Sequence, residues 1–370
     1  MLMHIDQQPA RFSDATATNA LRFTWLNFQS GGARTSGKLD YDFTRLHRLA
    51  APLVEPQLSP AASMPVAIFA LCEAKGWAAD ANHGLLAASD VLSATLGRPY
   101  AAKMLPFDRG PIGPALFYDP TLVAPVAWHG GGYPDFDDKA GVIRFRTVHT
   151  DQHLVVIVRH WNPRSPQIRL EEARLLGSYG DGFPDPVFVM GDLNATATGS
   201  HWPRRDWTKA PYIARDAKAI RMPDGAWVDA TDAIHHLIGE WEWDEFGKQG
   251  RRTDGCGFWA MPEVAYATGT PAGEAFMATV NRDIDAGGGQ IIDHCLVTRP
   301  QLYVPGTYRV HVPTEQHDGR WDSDHRLVEA TFSLASSPVA WPHVDAGLAT
   351  RYRLHAVAAT GNQPPDRPRT

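Results

Sequence analysis

Short runs of apolar residues, closed by polar or turn-forming residues, alternate along most of the chain. Runs with the length and composition of buried strands span 21–28, 66–72, 115–118, 141–148, 153–160, 186–190, 291–298 and 326–334. Apolar residues at helical spacing predict helices over 41–53, 82–96 and 168–176. Strands outnumber helices and several follow one another directly, which predicts an α+β layered sandwich rather than a doubly wound sheet.

The two ends of the chain and one internal stretch lack these patterns. Residues 1–20 are polar and small, which predicts a flexible arm, and residues 336–370 are rich in Pro, which predicts a tail. Residues 195–290 are irregular and rich in Trp, Gly and charge, which is typical of functional loops or an insertion. The sequence therefore predicts one folded domain over 21–335, with 195–290 as its variable loop region.

Composition narrows the class of protein. Of 370 residues, 44% are hydrophobic and 21% charged, which excludes a disordered or fibrous chain. The net charge is −6, so any contact with nucleic acid needs a local basic patch. No apolar run approaches the roughly 18 residues of a membrane helix, and the N-terminus does not resemble a signal peptide. Cys72, Cys256 and Cys295 lie far apart, which fits a reducing compartment, so we expect a cytoplasmic location.

Polar residues that could carry chemistry lie at the ends of the apolar runs. The run 187–190 leads into Gly-Asp-Leu-Asn, so Asp192 and Asn194 can project from the same side of an extended chain. A carboxylate and an amide in that arrangement suit the orientation of a water molecule and the binding of an oxyanion. Alone, the pattern is also typical of a strand that ends in an Asx turn.

Five further apolar runs carry polar residues in the same way. Asp324 and His325 precede a strand, where a carboxylate and an imidazole suit cation binding and proton transfer. Asp293 lies inside an apolar run, where an unpaired charge is costly, so we expect it to pair with a histidine. The remaining runs end in Asn27, in Glu73, and in His160 and Asn162. If all six converge at one rim of a sandwich, they form a polar, metal-binding pocket.

The order of these residues closely resembles the endonuclease/exonuclease/phosphatase superfamily, which includes deoxyribonuclease I, AP endonucleases, neutral sphingomyelinases and inositol polyphosphate 5-phosphatases. The resemblance spans about residues 21–334 and includes Gly-Asp-Leu-Asn at 191–194 and Ser-Asp-His at 323–325. It implies a four-layer α/β/β/α sandwich like that of deoxyribonuclease I. It also implies hydrolysis of a phosphoester with Mg²⁺, or alternatively Mn²⁺, as the cofactor.

The resemblance further implies a metal site. Glu73 resembles the main metal ligand, Asn27 lies near it, and Asp324 resembles a carboxylate that assists the metal. Mg²⁺ prefers one or two carboxylates together with water molecules, and these residues supply such a set. A hard cation of this kind neutralises the charge that develops on an anionic phosphodiester as it reacts.

The remaining roles implied by the resemblance are catalytic. Asp192 resembles the residue that orients the attacking water, and Asn194 resembles a contact to the phosphate. His325, paired with Asp293, resembles the catalytic histidine. His160 resembles the histidine that deoxyribonuclease I and sphingomyelinases use on the phosphate, which argues mildly against the AP endonuclease branch. The sequence His-Trp-Asn-Pro at this position departs from the usual Thr-His-Leu.

The sequence indicates the type of reaction more clearly than the class of substrate. Basic and aromatic residues alternate between Trp202 and Arg221, as in surfaces that bind a phosphate backbone and stack bases, but a solvated segment with buried Trp fits equally well. The candidate substrate contacts are Asn162, Arg204, Arg205 and Trp207. A nuclease acting on DNA or RNA is the leading hypothesis. The alternative is a phosphodiesterase or phosphatase for a small molecule or lipid headgroup, which the acidic net charge favours. A non-catalytic module is disfavoured because every expected polar residue is present.

Overall fold

Two six-stranded β-sheets form the centre of the molecule. The computed structural model describes residues 20–34, 40–106, 112–129, 141–199, 201–243, 249–281, 287–313, 321–334 and 354–355. Its strands are β1 (Ala20–Asn27), β2 (Val66–Lys75), β3 (Ala101–Met104), β4 (Ile112–Tyr118), β5 (Val123–His129), β6 (Val142–Thr147), β7 (His153–Val158), β8 (Val187–Asp192), β9 (Ala219–Arg221), β10 (Trp227–Asp229), β11 (Glu240–Trp243), β12 (Gln249–Thr253), β13 (Trp259–Ala260), β14 (Asp293–Val297), β15 (Arg309–His311), β16 (Leu327–Ser333) and β17 (Leu354–His355).

The first three helices connect strands of the same sheet, and the others lie in the second half of the chain. They are α1 (Phe43–Ala50), α2 (Ala79–Leu96), α3 (Pro166–Arg174), α4 (Tyr212–Lys218), α5 (Asp232–Ile238), α6 (Met261–Ala267) and α7 (Ala272–Ala275). Ser165 caps α3, because its hydroxyl accepts a hydrogen bond from the backbone N–H of Ile168 and Pro166 occupies the first turn.

Each large sheet has one parallel pair of strands at its centre. The first sheet has the order β15-β16-β1-β2-β4-β3 and the second has the order β13-β14-β8-β7-β6-β5. The pairs β1/β2 and β7/β8 are parallel and the other neighbours are antiparallel. A parallel pair needs a crossover connection, and the segments that contain α1 and α3 provide it.

The two sheets pack face to face through an aromatic core. The ring of Phe188 on β8 lies 4.8 Å from Phe23 on β1 and 4.8 Å from Phe332 on β16, measured between centroids. Edge-to-face rings of this kind add to the stabilisation that comes from burying their area. Because both faces of each sheet are covered, central strands such as β2 and β8 are apolar along most of their length rather than alternating.

Helices cover the outer faces of both sheets. Leu46 and Leu49 of α1 and Leu92 of α2 pack against the first sheet. On the other side, Leu237 of α5 and Val264 of α6 join the core that includes the second sheet. The architecture is therefore the predicted α+β four-layer α/β/β/α sandwich, as in deoxyribonuclease I.

The eight predicted strands agree with the structure, but four strands of the two large sheets are absent from the prediction. Those four strands are β3, β5, β13 and β15. Pro125 within β5 weakens the strand pattern, and β5 lies at the edge of its sheet, where a missing N–H donor is tolerated. Strand β15 has three residues, which is too short for a period of two to be visible.

The stretch 195–290 is less irregular than its composition indicates. It contains α4 to α7 and β9 to β13, and its helices α5 and α6 bury apolar side chains in the main core. These elements are two to seven residues long, so none gives a sustained hydrophobic period.

The chain ends fall largely outside the described residues. The arm predicted over 1–20 lies outside them apart from Ala20, which begins β1, and the tail predicted over 336–370 lies outside them apart from Leu354–His355. Those two residues pair with Gln249–Gly250 of β12. Within the described ranges, no helix has the length and apolar character needed to cross a membrane.

Candidate active site

Strand topology brings the predicted polar residues to one rim of the sandwich. Asn27 ends β1 and pairs with Cys72, so Glu73 follows directly beside it. In the second sheet, Asp192 ends β8 and lies opposite Asp293, the first residue of the antiparallel strand β14. The carboxyl ends of parallel strands and the amino ends of their antiparallel neighbours share an edge. The six predicted strand ends therefore meet where the two sheets come together.

The backbone is unusual at two of these positions. Glu73 has φ of +65° and Asn194 has φ of +49°, a left-handed conformation that non-glycine residues rarely adopt. The register between β2 and β4 shifts between Leu71 and Ala74, so a β-bulge surrounds Glu73. Bulges turn a side chain away from the regular alternation of a strand. Strained backbone of this kind is common where a site needs a fixed side-chain direction.

Gly191 fixes the position of Asp192. Its φ is +131°, and a Cβ atom there would lie 2.1 Å from the carbonyl oxygen of Arg159. The backbone N–H of Arg159 donates to the carbonyl of Met190, and that of Trp161 donates to the carbonyl of Asp192. Only glycine allows this approach, which holds the ends of β7 and β8 together.

Asn27 links three groups of the rim. Its Nδ2 donates to Glu73 Oε1 at 3.2 Å and to Asp192 Oδ2 at 2.9 Å, and it lies 3.5 Å from His325 Nε2. The other oxygen of Glu73, Oε2, accepts a hydrogen bond of 2.7 Å from the backbone N–H of Ser30. The amide of Asn27 therefore orients carboxylates from both sheets.

Asp293 and His325 form a buried pair. His325 Nδ1 lies 2.7 Å from Asp293 Oδ2, and both residues are at most 5% exposed. Ser323 supports the pair, since its hydroxyl donates to the carbonyl of Asn27 and accepts from the backbone N–H of His325. With Nδ1 bound to Asp293, the ring directs Nε2 toward Asp192 Oδ2, which is 3.9 Å away.

Asp192 stands at the centre of the rim. Its Oδ1 accepts a hydrogen bond of 2.9 Å from the backbone N–H of Asn194, and its Oδ2 lies 3.6 Å from His160 Nε2. The side chain of Asn194 in turn donates to the carbonyl of Trp161 at 3.2 Å. The motif Gly-Asp-Leu-Asn is thereby tied to the segment that follows β7.

Electrostatic interactions at the rim favour a negative charge on Asp192 and a positive charge on His325. Burial opposes the charge of Asp192, but electrostatic interactions with His325, His160 and Lys218 together with the hydrogen bond from Asn27 lower its pKa. Burial also opposes the charge of His325, but Asp293 and the other carboxylates raise its pKa to about 10. At neutral pH Asp192 is thus a hydrogen-bond acceptor and His325 a donor.

Comparison with known proteins identifies the family of the chain. Residues 26–325 match the model of the Endonuclease/Exonuclease/phosphatase family. The chain belongs to this family. Enzymes of the endonuclease/exonuclease/phosphatase family are metal-dependent phosphoesterases, which fits a rim rich in carboxylates. Among curated proteins, none matches the chain.

Several solved structures are similar to the chain at low sequence identity. An endonuclease/exonuclease/phosphatase family protein from Bacteroides thetaiotaomicron is 15% identical, with a TM-score of 0.46 and coverage of 84% of this chain and 97% of that chain. A humanized D. rerio TDP2 is 14% identical, with a TM-score of 0.47 and coverage of 85% and 99%. The catalytic domain of human Nocturnin with bound sulfate is 14% identical, with a TM-score of 0.46 and coverage of 85% and 93%.

The oxygen atoms of the rim fit a hard divalent cation of the kind this family uses. Among the described residues, the buried Oδ1 atoms of Asn27 and Asp324 have no hydrogen-bond partner. Burial and the neighbouring carboxylate of Glu73 raise the pKa of Asp324, although His325 opposes the shift. A cation between these oxygens would neutralise the carboxylates and satisfy both orphaned atoms.

A second group of potential ligands lies within the rim. Ligand atoms of Asp192, Asp293 and His325 all lie within 4.8 Å of one another and could hold a metal ion. However, His325 offers nitrogen rather than oxygen to this group, and its Nδ1 is already bound to Asp293 Oδ2. For Mg²⁺, which takes oxygen ligands, the set with Glu73 is the better match.

The predicted substrate contacts do not join this rim as a group. Asn162 Oδ1 accepts hydrogen bonds from the backbone N–H groups of Arg164 and Ser165, so its side chain forms a turn before α3. Arg205 and Trp207 are 8% and 5% exposed and stack on each other, and Trp207 Nε1 donates to Asp229. Arg204 is exposed to solvent.

Sequence reasoning missed several residues that support the site. Ser323 stands in the Ser-Asp-His motif, so the motif itself contained the signal. The hydroxyl of Thr279 accepts hydrogen bonds from the backbone N–H groups of Ile292 and Asp293. Neither this residue nor Ser30, whose backbone binds Glu73, has any local sequence feature that would identify it.

Proposed function

We propose that this protein is a nuclease that hydrolyses a phosphodiester of DNA or RNA by attack of a water molecule, with Mg²⁺ as its metal and Mn²⁺ as a substitute. The observation that carries the proposal is the hydrogen-bonded set of Asn27, Asp192, Asp293 and His325, which combines an ionised carboxylate with a protonated imidazole. Such a set can position water on one side of a phosphate and stabilise negative charge on it.

Asp192 is the residue suited to orient the water. It is an ionised acceptor whose Oδ1 is held by the backbone of Asn194. The water would meet a hydrogen-bond acceptor that is fixed in direction, and holding reactants in the correct geometry is a large part of enzymatic rate enhancement. The amide of Asn194 lies beside Asp192 and would contact the phosphate.

His325 and His160 are suited to act on the phosphoryl oxygens. His325 carries a proton at Nε2, because its Nδ1 proton is bound by Asp293 and the ring is cationic. His160 approaches Asp192 from the segment that follows β7. A metal held by Glu73, Asn27 and Asp324 would add Lewis-acid stabilisation of the same oxygens.

Relaxation of supercoiled plasmid tests the proposal. We expect Mg²⁺-dependent nicking that EDTA stops and that His325→Ala reduces by about 100-fold or more, since positioned acid–base groups contribute about 10²–10⁴. Nicking that survives in His325→Ala would place the chemistry elsewhere. Nicking that is indifferent to EDTA would refute the metal dependence.

A small or lipid-linked phosphodiester is the second candidate substrate. The net charge of −6 and the burial of Arg205 and Trp207 favour it, because both reduce the surface available for a nucleic acid. A protein that leaves plasmid intact but hydrolyses headgroup or nucleotide phosphodiesters in Mg²⁺ would support this candidate. Failure on both substrate classes would contradict phosphoesterase activity altogether.

We also propose a cytoplasmic location and the domain boundaries 21–335. All three cysteines are free thiols, and Cys72 and Cys295 are buried, as expected in a reducing compartment. The first strand begins at Ala20 and β16 ends at Ser333, which supports both boundaries.

A further inference from the structure

A cavity of about 460 Å³ lies beside the first sheet. This volume falls within the range of pockets that bind small molecules. The cavity lies between α1, which contributes Arg48 and Leu49, and β15 at the edge of the sheet, which contributes Arg309 and His311. Its lining includes none of the side chains assigned to the rim, so the cavity is distinct from the candidate active site.

Strand β15 directs two basic side chains toward the cavity. Val310 belongs to the main core between the two sheets. Because side chains alternate along a strand, Arg309 and His311 lie on the other, outer face of the sheet. Leu327 of β16 pairs with His311 and packs on this outer face with the leucines of α1. The cavity therefore has basic groups next to an apolar surface.

His311 offers one ring nitrogen to a ligand. Its side chain is only 8% exposed, and its Nε2 lies 2.9 Å from Oε1 of the fully buried Glu329. An ionised carboxylate can only accept hydrogen bonds, so Nε2 carries a proton and Nδ1 is the nitrogen that remains for a ligand. A buried polar atom in the wall of a cavity favours a ligand with a polar group at that point.

One buried guanidinium fixes two walls of the cavity. Arg22 Nε donates to Glu329 Oε2 at 2.6 Å, and Glu329 in turn holds His311. The same guanidinium donates to the hydroxyl of Ser59 and to the carbonyls of Leu53, Ala61 and Met64. These bonds hold the loop 53–64, which places Leu58 in another wall. The cavity is thereby preformed, and a preformed site loses less conformational freedom when it binds.

The charges of the cavity favour an anion near β15. Arg48 binds both carboxylate oxygens of Asp322, so the acidic side chain in the lining is neutralised. Arg309 pairs with Glu274 at 3.0 Å, but both side chains are more than a third exposed, and such pairs are weak. The guanidinium of Arg309 is therefore available to an anionic group of a ligand.

The rest of the lining favours an apolar group. Leu49 and Leu327 are buried beneath the cavity, whereas Leu58 and Val312 in its lining leave 43% and 55% of their surface exposed. Large apolar side chains that remain exposed together around a cavity are typical of a binding site. A ligand that covers them would gain free energy from the burial of apolar area.

We propose that this cavity binds a small amphiphile, a carboxylate on an unbranched apolar chain. The carboxylate accepts hydrogen bonds from Arg309 and from Nδ1 of His311, which is protonated between the ligand and Glu329. The chain lies against Leu58 and Leu327. The inference goes beyond the proposed function, because no residue of the rim takes part in it.

Calorimetric titration of decanoate into the full-length protein, below the micelle concentration of decanoate, tests the inference. We expect one saturable site per chain. Arg309→Gln should weaken binding about tenfold, the effect of losing one charge-assisted hydrogen bond. Leu58→Asp, which places a negative charge beside the apolar chain, should abolish measurable binding. Both side chains are partly exposed, so both variants should fold.

Arg146→Gln is the matched control. Arg146 on β6 of the second sheet forms a similar exposed pair, 2.9 Å from Asp151, and does not line the cavity, so its removal should leave the affinity for decanoate unchanged. Methyl decanoate is the ligand control, because it has the chain without the charge. It should bind the wild type more weakly than decanoate, and Arg309→Gln should not weaken it further.

Three results would overturn the inference. The first is the absence of saturable decanoate binding by the wild type. The second is decanoate binding that Leu58→Asp leaves unchanged but His325→Ala abolishes, which would place the ligand at the rim. The third is an equal loss of affinity for decanoate and methyl decanoate in Arg309→Gln, which would show that the carboxylate does not contact Arg309.

Discussion

At the scale of single residues, Asp293 controls the proton of its neighbour His325. The carboxylate binds Nδ1 at 2.7 Å and, together with Asp192 and Asp324, outweighs the effect of burial and raises the pKa of the imidazole to about 10. The ring is thereby fixed in direction and charged at neutral pH. Asp192, whose Oδ2 lies 3.9 Å from Nε2, remains ionised beside it.

Replacing Asp293 by Asn tests this control. Asn keeps the size of the side chain but removes its charge, so the pKa of His325 should fall, and an NMR titration of the ring would detect the change. We expect kcat for Mg²⁺-dependent phosphodiester hydrolysis to fall about 100-fold, as when the partner of a functional histidine is removed.

Asp119→Asn provides the control for this substitution. Like Asp293, Asp119 is fully buried and paired with a basic side chain, in this case Arg98. However, Asp119 follows β4 at the end of the first sheet opposite to the rim. Its replacement should leave kcat of the folded protein unchanged. A similar loss of kcat in both variants would mean that Asp293 acts through general stability rather than through His325.

At the scale of elements, the ends of the central strands direct the functional side chains. The bulge in β2 turns Glu73 out of the regular alternation, and Gly191 lets β8 approach the carbonyl of Arg159. Both are features of the backbone. The bulge depends on a strained conformation at Glu73, and the close approach depends on Gly191, which has no reactive side chain.

Gly191→Ala tests the importance of this close approach. The new Cβ would lie 2.1 Å from Arg159 O, so the ends of β7 and β8 must separate and Asp192 must move. We expect a loss of about 2–4 kcal/mol in the free energy of unfolding, measured in urea, together with loss of activity.

Gly182→Ala is matched to this change. Gly182 also has a positive φ, +82°, but no heavy atom lies within 4 Å of the point that a Cβ would occupy there. Only the cost of the left-handed backbone, about 1 kcal/mol, therefore remains. If the two variants lose the same free energy of unfolding, the cost at Gly191 comes from backbone strain and not from contact with Arg159.

The elements that carry the site were predictable because their strands are buried on both faces. The run 187–190 is continuously apolar and leads into Asp192 on the rim, and the run 291–298 is apolar apart from Asp293, His294 and Thr298, with Asp293 opposite Asp192. The edge strand β5 and the short strand β15 lack such a signal. The bulge at Glu73 is set by the pairing of β2 with β4, which no local pattern reveals.

The substrate contacts were harder to predict than the rim. Trp207 and Arg205 form a basic and aromatic pair that suits nucleic acid in sequence, but they pack on each other, and Trp207 lies in a small separate core. Asn162 likewise uses its side-chain oxygen in a turn. The sequence shows that such residues are present. Whether they can contact a substrate depends on their burial, which is set by distant segments of the chain.

At the scale of the whole molecule, a buried charge cluster links the segment that follows Gly-Asp-Leu-Asn to later elements of the stretch 195–290. Glu263 on α6 accepts hydrogen bonds from Arg252 on β12, from Trp202 and from His201, and Arg252 also donates to the carbonyl of Thr198. The segment after Gly-Asp-Leu-Asn is thus anchored to elements far along the chain.

Arg252→Met tests this anchor. Burial opposes ionisation of Glu263, but Arg252 and His201 lower its pKa well below the usual range. Its stabilising contribution is complete above the unfolded-state pKa of about 4.3 and is lost as the pH falls below that value. In urea unfolding, Arg252→Met should therefore cost about 3 kcal/mol at pH 7 and less at pH 4, where the unpaired carboxyl is protonated.

Arg251→Met is the neighbouring control. Arg251 is exposed and lies 3.7 Å from Glu242, so its loss should cost less than about 1 kcal/mol at either pH. A cost for Arg252→Met that is the same at pH 4 and pH 7 would contradict the assignment of the stabilisation to the ionised Glu263.

The proposed chemistry depends most directly on a divalent cation held by Glu73. The decisive measurement is phosphodiester hydrolysis by EDTA-treated protein during titration with Mg²⁺ or Mn²⁺, for the wild type and for Glu73→Gln. We predict no activity without metal, full recovery in the wild type, and a requirement for about 10–100-fold more metal in Glu73→Gln. Activity that persists after chelation, or an unchanged metal requirement in Glu73→Gln, would contradict this chemistry.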